Sequence, residues 1–312
     1  MTAKAPNLIV VLGPTASGKT ALGVAVATRV GGEIISVDSR QVFRGMDLGT
    51  GKDLHEYGNI PYHLIDIINP GAEFSVFEFQ RRFFTSFSDI CGRGCLPVAV
   101  GGTGLYFDAV LSHYRLVEVP EDPQLRRELA QLSLEELTAR LRAVTPRLHN
   151  TTDLLQRERI VRAIEIALHE PADSDPLPEV RPLLIGIRWE RARLRQRITA
   201  RLKTRLDQGL IGEVEGLLAA GIPHERLNYY GLEYRCVAAY LRGEYNRNDM
   251  FQKLNAAIHD YAKRQETWFR RMERNGALIH WVDGENDPLA QTKGILDRAG
   301  VAFHAGPSGR GE

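Results

Sequence analysis

Cysteine is nearly absent: Cys91, Cys95 and Cys236 are the three in 312 residues. So few thiols give no basis for a disulfide framework, and none has the spacing or histidine partners of a zinc site. Cys91 and Cys95 read as small hydrophobes, and the chain reads as one suited to a reducing, cytoplasmic compartment. Long apolar runs are missing too. No stretch reaches the roughly 18 residues that would span a bilayer, and no apolar signal segment opens the chain, so no membrane role is expected. Net charge is also lacking, since 40 Lys and Arg against 39 Asp and Glu leave +1. A nucleic-acid partner would have to be drawn by local basic patches rather than by the field of the whole molecule. With 43% hydrophobic residues over this length, there is material for one large core or two smaller ones.

What is present begins with Gly13-Pro14-Thr15-Ala16-Ser17-Gly18-Lys19-Thr20, which matches G-x-x-x-x-G-K-[ST] at every fixed position. Its flanks fit. Leu8–Leu12 is a short apolar run of the kind buried on both faces in a parallel sheet, and Ala21–Val30 tolerates a helix. Strand, loop and helix in that order make a phosphate or pyrophosphate site, with amide groups at the helix start aimed at the anion. Lys19 adds a point charge, and the Thr20 hydroxyl suits magnesium, Mg²⁺.

Further strands are expected at Glu33–Asp38, Pro61–Ile68 and Leu96–Val100, with a helix over Phe74–Ile90. Strands alternating with helices imply an α/β fold, a phosphate-loop core with a mainly parallel sheet. Ligands of such sheets sit at the carboxyl ends of the strands, where Asp38, His63 and Thr103 fall with the loop. Composition shifts near Pro120. Asp122–Glu170 is helical in pattern, Pro171–Pro178 reads as a linker, and Arg181–Ile187 resumes the strand pattern. The expected division is a core of residues 1–119 and 181–312 around a helical insertion, 120–180. Helices should follow at Arg191–Gln208, Gly212–Ala220, Leu232–Arg242 and Met250–Arg274, then a strand at Ala277–Val282 and a frayed tail from Gly306.

Three features carry chemistry, each with a plainer alternative. Phosphate-loop hydrolases place a carboxylate at the end of a second apolar strand, but Leu96–Val100 runs into glycine. Asp38 is the nearest substitute; it either serves the reaction or caps the helix-like start of Asp38-Ser39-Arg40-Gln41. Arg193, Arg197, Arg201 and Arg205 line one flank beside Leu194, Ile198, Leu202 and Leu206. Like charges at that spacing repel, so the flank is either solvated or faces an anion. Tyr261–Arg271 interleaves aromatics with cations, as a core helix with basic edges or a nucleic-acid surface does.

Several stretches resemble the tRNA dimethylallyltransferases, or tRNA isopentenyltransferases, along nearly the whole chain. They are Gly13–Thr20, Val37–Thr50, His63–Asp66, Gly101-Gly102-Thr103-Gly104-Leu105-Tyr106 and Ala262–Arg270. The resemblance implies transfer of a dimethylallyl group from dimethylallyl diphosphate to N6 of adenosine 37 in tRNA, with release of pyrophosphate. It implies a diphosphate held by Gly13 to Thr20 with Arg197 and Arg201, Mg²⁺ on Thr20, and Asp38 as the base that takes the amine proton. By the same resemblance Asp38, Ser39, Arg40, Gln41 and Thr103 contact the target base region. Arg126 and Glu158-Arg159-Ile160-Val161-Arg162 of the insertion contact the anticodon stem-loop. The chain departs from the family pattern at Leu155-Gln156, where Asn-Asp is frequent, at Ile258-His259 and at Tyr230-Gly231-Leu232-Glu233. A monomer is expected. The competing readings are an ATP-dependent nucleotide or small-molecule kinase and an RNA-binding protein switched by a nucleotide.

Overall fold

The computed structural model describes residues 4–111, 116, 118–145, 154, 156–169 and 176–302. Its centre is β1 (Leu8–Leu12), five apolar residues without exposed surface. Buried on both faces, such a run has no polar side to offer solvent, so it sits in the middle of a parallel sheet. Around it lie β2 (Gly32–Val37), β3 (Tyr62–His63), β4 (Leu96–Gly101), β5 (Pro182–Arg188) and β6 (Ile279–Asp283), in the order β3-β2-β4-β1-β5-β6 with every pair parallel. The chain leaves β1 for one side of the sheet and later returns to its other side. The carboxyl ends of β1, β2, β4 and β5 therefore converge around one crevice.

Helix α1 (Lys19–Val30) follows β1 and packs on β4 through Gly23, where an added Cβ would come within 2.5 Å of Val100. A mid-helix glycine costs about 1 kcal/mol in helix propensity, and here it allows the close approach of helix to sheet. Helix α2 (Val76–Gly92) is started by Ser75, whose hydroxyl accepts the Glu78 N–H, and α3 (Gly104–Leu111) follows β4. After β5 come α7 (Arg191–Asp207), α8 (Leu210–Ala219), the short α9 (His224–Leu227), α10 (Leu232–Leu241), the 28-residue α11 (Arg247–Arg274) and, beyond β6, α12 (Pro288–Arg298). The α7 stripe of Leu194, Ile198 and Leu202 is buried, as its spacing predicts.

The expected strand over 61–68 is much shorter. Pairing stops after His63 because Leu64 and Asp66 take left-handed backbone, φ 63° and 54°. The chain turns there to bring the Asp66 carboxylate within 2.5 Å of the Lys52 ammonium, which also reaches Asp47 and the Phe43 carbonyl at 2.7 Å. A fully buried ammonium needs such partners, and they override the strand propensity of Leu-Ile-Asp-Ile.

Clustering of contacts separates residues 115–177 from a unit formed by 1–114 and 178–312. The smaller unit holds α4 (Pro123–Ala130), α5 (Leu134–Val144) and α6 (Arg157–Leu168) around Leu129, Leu137, Leu141, Ile160 and Ile164. Ser133 and Glu136 cap α5 reciprocally, and Asp122 caps α4. Linker residues 171–175, the tail from 306 and positions 151–153 and 155 lie outside the described residues. Among the described residues, no helix is long and apolar enough to cross a membrane.

Candidate active site

The phosphate loop is shaped by two left-handed residues, Ala16 at φ 62° and Gly18 at φ 88°. Alternation of left- and right-handed backbone turns successive amides inward and makes an anion-binding concavity. The outward carbonyls are tied down by distant parts of the chain. Trp189, just past β5, donates its indole N–H to Ser17 O at 2.9 Å, and Arg197 of α7 donates Nε–H to Ala16 O at 2.9 Å. The Arg197 guanidinium also lies 4.2 Å from the Trp189 ring centroid. The first turn of α1 has no side-chain cap, so its amides face the crevice. The Ser17 hydroxyl is buried and has no hydrogen-bond partner among the described residues.

A cavity of about 780 Å³ occupies the crevice, walled by Thr15, Ala16, Gly18, Lys19 and Thr20 together with Asp38, Ser39, Arg40 and Gln41. Arg197 and Arg201 line it as well, so most of the diphosphate candidates and the Asp38 segment share one space, while Gly13, Pro14 and Ser17 are not among its lining residues. Burial first, and then the Arg201 charge, lower the Lys19 ammonium to about 8, against smaller opposing effects of Asp38 and Asp53. Lys19 itself donates to Pro14 O at 3.3 Å. Asp38 Oδ1 accepts the Arg40 N–H at 2.8 Å, a turn closed by its own side chain. Thr103 stands behind this segment, its Oγ1 accepting the Ser39 N–H at 3.3 Å. The Gln41 amide is committed to the fold, accepting from Ser36 Oγ at 2.9 Å and donating to Gly51 O at 3.2 Å. The Arg40 guanidinium rests 4.8 Å from the Tyr229 ring centroid.

One expectation is corrected. His63 is not at the crevice: its Nε2 bonds Glu33 Oε2 at 2.7 Å, and Glu33 is held below the usual carboxylate range by Arg93, with its burial acting the other way. His63 closes the short β3 and pairs with Ile35, two residues before the carboxyl end of β2, so it stops short of the crevice. The cationic flank of α7 also has a protein anion. Asp53 accepts Arg205 Nη2 at 2.5 and 2.6 Å and Arg201 Nη2 at 3.2 Å. That pairing answers the repulsion along the stripe for two of its members.

Residues the sequence did not assign also reach the cavity. Glu233 projects from the first turn of α10 onto its wall, and burial raises its carboxyl to about 7, with the Arg201 charge opposing. Ile258, one of the departures from the family pattern, lines it too, as well as a bordering recess of about 60 Å³ with Leu48, Ile198, Leu202 and Leu210. His259 turns elsewhere, toward Thr199 and Arg195 O. Gln265, inside the quoted Ala262–Arg270 stretch, joins the phosphate loop to the loop after β4. Asp53 closely follows the quoted Val37–Thr50 stretch, and Glu233 ends the departing stretch Tyr230–Glu233, which was the available signal for them.

In the smaller unit, Arg126 grips the Glu165 carboxylate from both sides at 2.7 and 3.0 Å, and Arg162 adds a bond at 3.1 Å. Burial pushes the Glu165 carboxyl up, but these partners and the Asp122 N–H outweigh it and hold it at about 2. Ile160 is fully buried in this unit's core, whereas Glu158 and Arg159 are exposed and Val161 is half-buried.

Comparison with known proteins places this geometry. The IPP transferase family model matches residues 41–272, and that of isopentenyl transferases matches 6–57. The chain is 66% identical over 291 residues to tRNA dimethylallyltransferase 1 of Geotalea uraniireducens, covering 93% of this chain and 97% of that protein. It is 68% identical over 286 residues to tRNA dimethylallyltransferase 2 of Syntrophotalea carbinolica, covering 91% and 96%. Among solved structures it is similar to the full-length tRNA isopentenylpyrophosphate transferase of Bacillus halodurans, with TM-score 0.68, 34% identity and 95% of each chain covered. A eukaryotic dimethylallyltransferase acting on tRNA shares the fold at TM-score 0.79 and 20% identity, over 97% of this chain and 81% of that one. With a phosphate loop and Asp38 lining one cavity and relatives this similar over nearly its whole length, the chain belongs to the IPP transferase family of prenyltransferase enzymes, the tRNA dimethylallyltransferases.

Proposed function

We propose that this chain transfers a dimethylallyl group from dimethylallyl diphosphate to N6 of adenosine 37 in tRNA, releasing pyrophosphate. The observation that carries the reading is that residues of the phosphate loop and Asp38 line one cavity, while β4 ends in Gly101 rather than a carboxylate. Such a site clamps a diphosphate that leaves; it lacks the β4 carboxylate that phosphate-loop hydrolases place there.

The loop amides, Lys19, Arg197 and Arg201 hold the diphosphate and stabilise charge as the C1–O bond breaks. The Ser17 hydroxyl, buried without a partner among the described residues, gains one when phosphate oxygens fill the concavity. The recess bordered by Leu48, Ile198 and Ile258 takes apolar surface of the five-carbon tail. Adenine N6 becomes acidic as its bond to carbon forms, and Asp38 accepts that proton. Ser39 and Arg40 hold the base by its edge once it has left its stack. The donor set suits Mg²⁺: the Thr20 hydroxyl would hold it, with diphosphate oxygens and water as the other ligands. No cluster of three carboxylate, histidine or cysteine side chains stands among the described residues. When bound, the ion neutralises charge on the departing diphosphate. The exposed Arg159 and its neighbours in residues 115–177 bind RNA backbone, and the enzyme works as a cytoplasmic monomer.

The deciding experiment is transfer of label from dimethylallyl diphosphate to tRNA with Mg²⁺ and no nucleotide, read by mass spectrometry of the nucleosides. A prenylated adenosine is expected. Strict dependence on ATP, or label that never reaches RNA, returns the site to a kinase.

A further inference from the structure

Helix α11 carries Gln265 into buried space between two loops far apart in sequence. Its Oε1 accepts the Thr15 N–H at 2.8 Å, and its Nε2 donates to Gly102 O at 2.9 Å. One neutral side chain, 6% exposed, thus ties the phosphate loop to the loop after β4. The fit is close, since a Cβ on Gly102 would run into Gln265 Nε2. The connection continues. Thr103, next in the chain, accepts the Ser39 N–H at 3.3 Å, and Ser39 follows Asp38. Hydrogen bonds and adjacent residues therefore run from the loop proposed to hold the donor to the carboxylate proposed to meet the acceptor, and the Gln265 side chain bonds both loops at once.

An amide suits this place because it is an acceptor at one end and a donor at the other. A carboxylate would set a second acceptor against Gly102 O, and a thioether would fill the space with neither bond. The Thr15 N–H is also withdrawn from anion binding, so the bond to Gln265 places the loop rather than feeding the ligand.

We infer that Gln265 is a positioning residue that sets the separation between the bound diphosphate and Asp38, and so the alignment of donor carbon with acceptor nitrogen. This rests on the proposed transfer reaction. Displacement needs the reacting atoms about 3–3.5 Å apart, and a misplacement of about 1 Å costs roughly a hundredfold in rate.

The test uses Gln265→Met and Gln265→Glu in single-turnover transfer with both substrates saturating. Binding of dimethylallyl diphosphate and of tRNA alone, and thermal unfolding, are measured beside it. Gln265→Met should keep each affinity within about threefold while transfer slows by about 10- to 100-fold. Gln265→Glu should be as slow at pH 8, and its rate relative to the parent should climb as pH falls, because a protonated carboxyl donates to Gly102 O and still accepts from Thr15. If Gln265→Met proves unfolded, the pH-dependent ratio for Gln265→Glu carries the test. A parental rate in the Met variant, a loss fully explained by weaker donor binding, or a flat Glu-to-parent ratio overturns the inference. Failure of the parent itself to prenylate tRNA is a different result and overturns the transferase reading.

Discussion

Tyr234 donates its hydroxyl to Glu213 Oε1 at 2.7 Å, and the same carboxylate accepts three consecutive backbone N–H groups, those of Asp47, Leu48 and Gly49, at 2.8, 2.7 and 3.0 Å. A side chain of α8 thereby fixes the strap of backbone whose next residues, Thr50 and Gly51, line the cavity. Gly49 lies so near Tyr234 that an added Cβ would come within 2.5 Å of its ring.

Glu213→Ala leaves those amides without their acceptor and should cost about 2–4 kcal/mol, while Tyr234→Phe, which removes one bond, should cost about 1 kcal/mol. Urea unfolding reads both. A Glu213→Ala variant within 0.5 kcal/mol of the parent, roughly the scatter of ordinary surface substitutions, would show that water replaces the clamp.

Asp38→Asn keeps the shape of the turn and removes the base. Transfer should slow by about two to four orders of magnitude with tRNA affinity close to parental. Turnover near the parent's rate takes Asp38 out of the mechanism.

Lys19 offers a proton count. With its ammonium lowered to about 8 by burial and the Arg201 charge, a large neutral fraction exists at pH 8, and a bound diphosphate draws the proton back. Binding of pyrophosphate should therefore take up on the order of half a proton at that pH and little at pH 6. Calorimetry in two buffers of different ionisation enthalpy measures it, and a heat at pH 8 that does not depend on the buffer would contradict the shift.

Glu233 supplies the opposite sign. Its carboxyl is raised from 4.5 to about 7 by burial, so the folded chain keeps a proton that the unfolded chain has lost between those values. Stability from this group is full at low pH and declines as pH rises toward 7. Above 7 the new negative charge also opposes an anionic donor. Glu233→Gln should remove both dependences and tighten pyrophosphate binding about tenfold at pH 8. Parallel pH profiles for parent and variant would argue against it.

RNA binding is tested at Arg159, an exposed residue of α6. Arg159→Ala should lower the salt slope of tRNA binding by about 1 and leave donor affinity unchanged. An unaltered slope moves the RNA surface elsewhere.

Much of the core was legible because its signals are local. An apolar run without a polar face makes β1 a central strand, and the octapeptide after it specifies loop and helix start within eight residues. The α7 stripe likewise announced which side it buries. The strand at 61–68 was drawn too long because the turn at Leu64 goes with a bond between Asp66 and Lys52, and His63 was misplaced because its register against Ile35 and its bond to Glu33 are long-range facts that strand propensity does not contain.

The sequence by itself determined that this chain has a phosphate loop on a parallel sheet, a carboxylate at the end of the next strand and a helical stretch between two parts of the core. Each of these follows from side-chain periodicity or from the conformational freedom of a few adjacent residues. Tertiary structure alone decided what stands around the loop. Asp53 meets Arg201 across 148 positions, Trp189 reaches Ser17 across 172, and Gln265 reaches Thr15 across 250. The physical reason is that burial makes an unpaired charge or amide costly, so each finds its partner wherever the fold brings one within hydrogen-bond reach, a distance that sequence spacing does not record.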